Sequence, residues 1–203
     1  ATEDFELMAG MSPTHKPYLR AGVLETVKSR IPWLMLLMLS ATFTGIVITS
    51  FEDKLAAYSV LIGFIPMLMG TGGNCGNQSS VAVIRGLSLD EIDFGDIFQV
   101  AWKEARVAVV CGGLLSGANF VKLMLVDRWL MGNSEVTVLV ALAICLTLIC
   151  TVFCAKVVGA MLPLLAEKVG LDPAVLAAPF ISTIVDVLSL LIYFRFAALL
   201  LGL

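Results

Sequence analysis

Residues 66–80 read Pro66-Met67-Leu68-Met69-Gly70-Thr71-Gly72-Gly73-Asn74-Cys75-Gly76-Asn77-Gln78-Ser79-Ser80, and they lie within an otherwise apolar run from Leu55 to Ile84. The run is long enough to cross a bilayer as a helix. A lipid-facing helix does not normally collect four glycines and this many amides and hydroxyls, because each unsatisfied polar group in hydrocarbon costs several kcal/mol. The stretch therefore predicts a helix that faces protein or water and lines a polar path through a membrane.

The amino-acid composition is that of an integral membrane protein. Of the 203 residues, 59% are hydrophobic and 14% are charged, and the mean hydropathy is +0.98. Soluble domains average about 45–50% apolar and about 25% charged residues. The net charge of −3 and the lack of a basic patch argue against a nucleic acid as a partner. Five cysteines without a CxxC pair, in a chain with one histidine, are expected to be buried free thiols.

Hydropathy predicts an all-α fold with five transmembrane helices. The expected spans cover residues 32–51, 55–86, 98–126, 136–165 and 174–203, which together form one domain over residues 32–203. Residues 1–31 are expected to hold a short acidic helix and an amphipathic segment that leads into the membrane at Pro32. Glu52-Asp53-Lys54 is expected to form a minimal turn. The chain opens without an initiator methionine, which suggests a fragment of a longer protein.

Lysine and arginine residues predict the orientation of the chain. Nine of them, Lys156 included, fall on the side of the N-terminus and four on the other side, so the positive-inside rule places the N-terminus in the cytoplasm. Five spans do not divide into two equal halves. A closed polar path is then built most simply by two chains around a two-fold axis along the membrane normal, so we expect a homodimer in the lipid bilayer.

Asp186 is the one carboxylate expected near the middle of the bilayer. The other fifteen of the sixteen carboxylates lie in loops, tails or near helix ends. A lone carboxylate at this depth is costly and usually marks an ion or proton pathway. Ser182 lies one helical turn earlier on the same face. The alternative is a structural aspartate that pairs with a lysine or arginine of another span, although the basic residue nearest in depth is Arg195, nine residues further along the same span.

Hard oxygen donors around this carboxylate predict Mg²⁺ as the guest. Two copies of Asp186 across a two-fold axis would present two negative charges, and Asn74, Asn77 and Gln78 on the neighbouring helix would bond to water around an ion. Mg²⁺ keeps several of its waters and is bound by one or two carboxylates, so such a site suits it. An inside-negative potential drives a cation inward by about 2.3 kcal/mol per charge per 100 mV. We therefore expect a passive Mg²⁺ channel, with Mn²⁺, Co²⁺ and Ca²⁺ left open as further ions.

Other interpretations stay open at this stage. The glycines alone also fit a packing face between helices, whereas a phosphate loop is rejected because the GK[ST] ending is missing. Asp172 fits a simple helix cap, and Glu104 fits a solvated interfacial charge. The alternative functions are a proton- or Na⁺-coupled divalent-cation transporter of another fold, an intramembrane enzyme and a structural scaffold. One mid-membrane carboxylate without a histidine makes the enzyme a poor hypothesis, so no catalytic residue is assigned.

Several motifs together resemble one known family. They are Gly70–Ser79 with Pro66 before it and Arg85 after it, Gly159-Ala160-Met161-Leu162-Pro163, Asp172-Pro173-Ala174, and Pro179–Asp186 in the last span. The combination is similar to the transmembrane domain of the MgtE family of magnesium channels, and the similarity covers nearly the whole chain.

The resemblance implies a homodimer of five-helix subunits in the bacterial inner membrane, whose second and fifth spans line a central pore. By resemblance, Asp186 is the pore carboxylate that holds hydrated Mg²⁺, with Gly73 and Asn77 beside it. Asp172 and Glu104 fall where the family places acidic groups near the cytoplasmic gate.

Two departures from the family pattern accompany the resemblance. Residues 1–4 resemble the end of the family's connecting plug helix, but the N-terminal and CBS regulatory domains that precede this helix in the family are absent from this sequence. Some members also carry an asparagine where this chain has Ala178. One pore ligand is therefore expected to be missing, which would alter selectivity.

Overall fold

The computed structural model describes residues 2–13, 16–51, 58–176 and 178–202, and these residues are predominantly helical, with no strand among them. Six α-helices follow one another within these described ranges: α1 Thr2–Met8, α2 Val23–Ser50, α3 Ile65–Ser88, α4 Ile97–Lys122, α5 Val138–Lys168 and α6 Ala178–Leu201. Short 3-10 helices precede α3, α4 and α6, and a π-helical segment, Leu123–Leu130, extends α4. The predicted turn at Glu52-Asp53-Lys54 lies outside the described residues.

Among the described residues, four helical segments are long and apolar enough to cross a membrane: Val23–Ser50, Phe94–Leu130, Val138–Lys168 and Phe180–Leu201. The prediction of an all-α membrane protein is thereby confirmed. The remaining predicted span corresponds to α3, which has the length of a span but carries the glycines, amides and hydroxyls that lower its hydropathy. It packs with one side along α5 and α6.

One continuous helix covers both the predicted amphipathic segment and the predicted first span. Pro32 was expected to separate an amphipathic segment from the membrane helix, but α2 runs without a break from Val23 to Ser50 with Pro32 inside it. A proline removes one backbone hydrogen bond and crowds the preceding turn. Membrane helices tolerate this because neighbouring groups and local adjustments satisfy the freed carbonyl.

Glycines let α3 and α5 approach each other closely. A Cβ atom on Gly159 would collide with the carbonyl oxygen of Gly76, and one on Gly72 would lie 2.7 Å from Cγ2 of Thr151. Small residues at such contacts allow the dispersion contacts between backbones that hold membrane helices together. Because the residue numbers rise together along this contact, α3 and α5 run in the same direction.

The remaining helices alternate in direction with these two. Contacts run in opposite order across the α4–α5 and α3–α6 interfaces: Gly112 with Ile149, Ser116 with Cys145, Gly76 with Ile181, and Gly72 with Val185. The ring contacts Trp33–Phe180 and Phe51–Phe194 make α2 parallel to α6. The five long helices therefore alternate up and down along the chain.

The core surrounds α5, which contacts α3, α4 and α6. Fully buried side chains such as Ile144, Val152 and Tyr193 fill the space between these helices. The phenol of Tyr193 donates a hydrogen bond of 3.0 Å to the carbonyl of Leu61, which ties α6 to the segment before α3. In contrast, α2 buries only Thr44 of its described side chains and exposes many large apolar ones.

Candidate ion site

Asp186 lies half-buried on α6, at the wall of a cavity of about 430 Å³ between α2, α3 and α6. The lining residues are Leu37, Ala41, Thr44, Met69, Ser182, Thr183 and Asp186. The single carboxylate therefore shares this wall with three hydroxyl side chains and three apolar ones. Such a cavity can hold water or a hydrated guest against the carboxylate.

Gly73 and Ser182 meet beside this cavity. A Cβ atom on Gly73 would lie 3.5 Å from Oγ of Ser182, an ordinary contact distance. Ser182 precedes Asp186 by one helical turn and lines the same cavity. The structure thus brings three of the predicted site residues together at the contact between α3 and α6.

Asn77 lies one turn after Gly73 on α3 and is half-buried. Its Oδ1 atom is buried and has no hydrogen-bond partner within the described part of the protein. A buried amide oxygen without a partner is costly, so such atoms call for an explanation by a water, an ion or a function. This oxygen can accept a hydrogen bond from a water molecule, including one in the hydration shell of a cation.

One face of α3 stays uncovered in a single chain. Gly70, Asn74, Gln78 and Arg85 are exposed, whereas Gly72, Gly76 and Ser80 on the other side are buried against the bundle. No heavy atom of another element lies within 4 Å of a Cβ placed on Gly70. In a membrane, a polar face of this kind must meet water or another protein surface.

Asp186 has no basic partner of its own in the part of the chain that the structure describes. Among residues 16–51, 58–176 and 178–202, no lysine or arginine nitrogen lies within 4.0 Å of its carboxylate. Arg195, the candidate partner named from the sequence, is exposed. The alternative of a structural Asp186–Arg195 ion pair is therefore wrong for the described chain.

Glu104 lies at a second cavity, of about 530 Å³, between the end of α3 and the start of α4. Its charged neighbours there are Glu91, Asp96, Lys103 and Arg106. The carboxylate is half-buried and its Oε2 accepts a hydrogen bond of 2.6 Å from Oγ of Ser79. Glu104 is therefore held by α3 and is not a freely solvated surface charge.

Lys156 completes this polar contact, and the sequence analysis missed its position. It was counted among the charges on the side of the N-terminus, but it lies inside α5 with only 5% of its surface exposed. Its Nζ donates a hydrogen bond of 3.4 Å to Oγ of Ser79. The signal in the sequence was a lysine in the middle of the most apolar predicted span.

Asp172 acts locally. Its Oδ1 accepts a hydrogen bond of 2.8 Å from the backbone nitrogen of Ala174 and so caps the 3-10 helix Pro173–Leu176. The side chain is exposed, and neither Asp172 nor Glu104 is among the described residues that line the cavity of Asp186. The side chain of Ala178 lies outside the described part, so the effect of this departure stays a prediction.

The candidate carboxylates do not form a conventional metal site within one chain. Among the described residues, no three histidine, cysteine, aspartate or glutamate side chains come together as a possible ligand set. A cation at Asp186 would therefore be held by one carboxylate of the chain, with hydroxyl, amide and water oxygens around it.

Comparison with known proteins tests the family assignment. A family model described as MgtE, divalent cation transporter, matches residues 65–196. The chain belongs to the MgtE family. All six predicted site residues lie within the matched range, and the family is one of transporters, in agreement with the expectation that the chain is not an enzyme.

The similarity to individual MgtE proteins extends beyond the matched range. The magnesium transporter MgtE of Thermus thermophilus is 36% identical over 201 residues, which is 99% of this chain and 43% of that protein. The corresponding values are 36% over 197 residues for the protein of Bacillus subtilis and 30% over 204 residues for that of Enterococcus faecalis. The chain thus spans about two fifths of the length of these relatives.

Proposed function

We propose that this chain forms the pore of a Mg²⁺ channel of the bacterial inner membrane, with its N-terminus in the cytoplasm. Partly hydrated Mg²⁺ passes into the cytoplasm down its electrochemical gradient. The observation that carries the proposal is Asp186: a carboxylate without a basic partner in the described chain, on an apolar helix, in a cavity beside Ser182 and Gly73. The relatives named magnesium transporters support the choice of ion.

The proposal includes α3 as a fifth membrane span. Its 24 residues would reach about 36 Å, compared with about 30 Å for the hydrocarbon core. The alternating directions of the five long helices fit this topology, because each crossing reverses the chain. Residues 1–31 would form the end of a connecting helix and the lead into the membrane, and the regulatory domains of the family would lie upstream.

The proposal also includes a homodimer with the pore on its two-fold axis. The exposed polar face of α3, with Gly70, Asn74 and Gln78, would otherwise meet lipid. Two such faces placed opposite each other would enclose water and bring two copies of Asp186 to one ion. Asn77 and Ser182 would bond to the waters of that ion, while Gly73 keeps the wall free of side chains. Glu104 and Asp172 would attract cations near the cytoplasmic end.

Mg²⁺ influx into liposomes that contain the purified chain tests this function. Asp186→Asn keeps the size of the side chain but removes its charge, so influx is expected to fall at least tenfold. Asp90→Asn is the matched control, because Asp90 lies exposed in a loop and its φ of 53° suits asparagine. Full influx through Asp186→Asn at wild-type protein levels would refute the pore site.

A second candidate function uses the same carboxylate differently. In a proton- or Na⁺-coupled transporter, Asp186 would bind and release the coupling ion during each cycle. Collapse of the pH gradient or the Na⁺ gradient across the same liposomes separates the two functions. Channel flux is expected to continue unchanged, whereas coupled transport would stop.

A further inference from the structure

Lys156 is a buried basic side chain of the helix bundle that the proposed pore does not use. It lies inside α5, and only 5% of its surface is exposed. An ammonium group in such a place is costly unless hydrogen bonds and nearby negative charge compensate it. Among the described residues no carboxylate oxygen comes within 4.0 Å of Nζ, so Lys156 forms no direct ion pair there.

Ser79 connects Lys156 to Glu104 across three helices. The distances are 3.4 Å from Nζ of Lys156 to Oγ of Ser79 and 2.6 Å from this Oγ to Oε2 of Glu104. An ammonium group can only donate, a carboxylate can only accept, and a hydroxyl has one proton to give. The lysine therefore donates to the serine oxygen, which leaves the serine proton pointing at the glutamate.

The close approach of α3 and α5 fixes this arrangement. The backbones touch where Gly159 meets Gly76, and Ser79 follows Gly76 by about one turn on α3. Ser79 itself is 2% exposed, so its hydroxyl is shielded from solvent. As a result, Oε2 of Glu104 is occupied by a short hydrogen bond from the protein.

We propose that Lys156 is a positioning residue that, through Ser79, weakens the hold of Glu104 on passing divalent cations so that they leave the second cavity. Fast passage needs binding that is strong enough to admit an ion and weak enough to release it. Lys156 and Ser79 act together in two ways. The hydroxyl of Ser79 occupies Oε2 of Glu104 with a hydrogen bond. The ammonium group of Lys156, bonded to the same hydroxyl, adds a positive charge near the carboxylate. The inference rests on the proposed function, because the cation it concerns is the transported one.

If Lys156 acts on the ion at Glu104, removal of its charge changes influx in a way that loss of a purely structural residue would not. Lys156→Met keeps the length of the side chain and removes the charge. Mg²⁺ at Glu104 then loses the repulsion of a unit charge a few Å away, so half-maximal influx is expected at an about tenfold lower Mg²⁺ concentration. Maximal influx is expected to fall as well, because release becomes slow. A variant that merely misfolds would lower the maximum without lowering the half-maximal concentration.

The experiment measures influx against Mg²⁺ concentration in liposomes for the wild type and matched variants. Lys28→Met is the control, because it removes the same charge from an exposed position of α2 that does not line the second cavity, and it is expected to change nothing. Ser79→Ala is expected to shift the half-maximal concentration in the same direction as Lys156→Met. In the background of Glu104→Gln, Lys156→Met is expected to have no further effect.

A binding measurement keeps the test independent of flux. The unfolding temperature of the detergent-solubilised chain is expected to rise with Mg²⁺, and in Lys156→Met or Ser79→Ala this rise is expected at about tenfold lower Mg²⁺. An unchanged or higher half-maximal concentration in both variants, or an equal shift in the Glu104→Gln background, overturns the inference. Loss of influx in Asp186→Asn, with no effect of Lys156→Met, would leave the proposed function standing while the role of Lys156 falls.

Discussion

Gly159→Ala is expected to destabilise the helix bundle, because the backbones of α3 and α5 touch at this position. A Cβ atom on Gly159 would lie 2.8 Å from the carbonyl carbon of Gly76 and 2.9 Å from its Cα. Carbon atoms in packed interiors stay about 3.5–4.0 Å apart. The two helices must therefore separate by roughly 1 Å, since no rotamer change can move a backbone atom away.

The magnitude follows from two opposing effects. Overpacking of a tight contact typically costs about 1–3 kcal/mol, and the upper end applies because backbone has to move. Alanine in place of glycine inside a helix regains about 1 kcal/mol through helix propensity. We expect a net loss of about 2 kcal/mol in the free energy of unfolding, which reduces the folding equilibrium constant about thirtyfold.

Reversible unfolding in mixed micelles, followed by tryptophan fluorescence as the fraction of sodium dodecyl sulfate rises, measures this loss. Gly113→Ala is the matched control, because a Cβ atom there meets no heavy atom within 4 Å. It is expected to match the wild type or to gain up to about 1 kcal/mol. Gly159→Ala with wild-type stability would refute the close approach of α3 and α5.

Substitutions at three further positions test whether a residue contributes to ion passage or to the stability of the fold. Gly73→Ala has room for the added methyl group, since its Cβ would lie 3.5 Å from Oγ of Ser182. The free energy of unfolding should stay within about 0.5 kcal/mol of the wild type, while Mg²⁺ influx falls severalfold. Unchanged influx would remove Gly73 from the ion path. Tyr193→Phe leaves the buried carbonyl of Leu61 without its 3.0 Å hydrogen bond. The micelle titration should therefore show a loss of about 1–3 kcal/mol in the free energy of unfolding. No loss would mean that water replaces the phenol. Asp172→Ala removes a helix cap and should cost about 1 kcal/mol. Asp172→Asn should restore stability, and lower influx in this second variant would show that the charge acts on ions.

The polar helix and the buried carboxylate were predictable because membrane physics penalises both. Gly70–Ser80 and Asp186 are polar exceptions within apolar runs. Because polar groups are costly in hydrocarbon, such exceptions indicate contact with water, an ion or other protein groups. Helical spacing alone also placed Ser182 on the face of Asp186, and the structure has both at one cavity.

The contacts between helices were not predictable in the same way. The sequence does not reveal that Gly76 meets Gly159, because both glycines also fit an exposed or pore-lining position. It does not reveal that Ser79 accepts from Lys156, since that pairing depends on the rotation of two helices about their axes. The sequence also did not reveal that the segment before Pro32 and the predicted first span form one continuous helix.

The uncovered polar face of α3 has a consequence for biogenesis. Hydropathy alone gives α3 a weak tendency to leave the translocon for lipid, because Asn74 and Gln78 would be stripped of water there. Its permanent neighbours, α5 and α6, are synthesised only afterwards. In the proposed topology, in which α3 crosses the membrane, the ribosome delivers this polar helix before the two helices that pack against it, and its stable insertion depends on segments that emerge later.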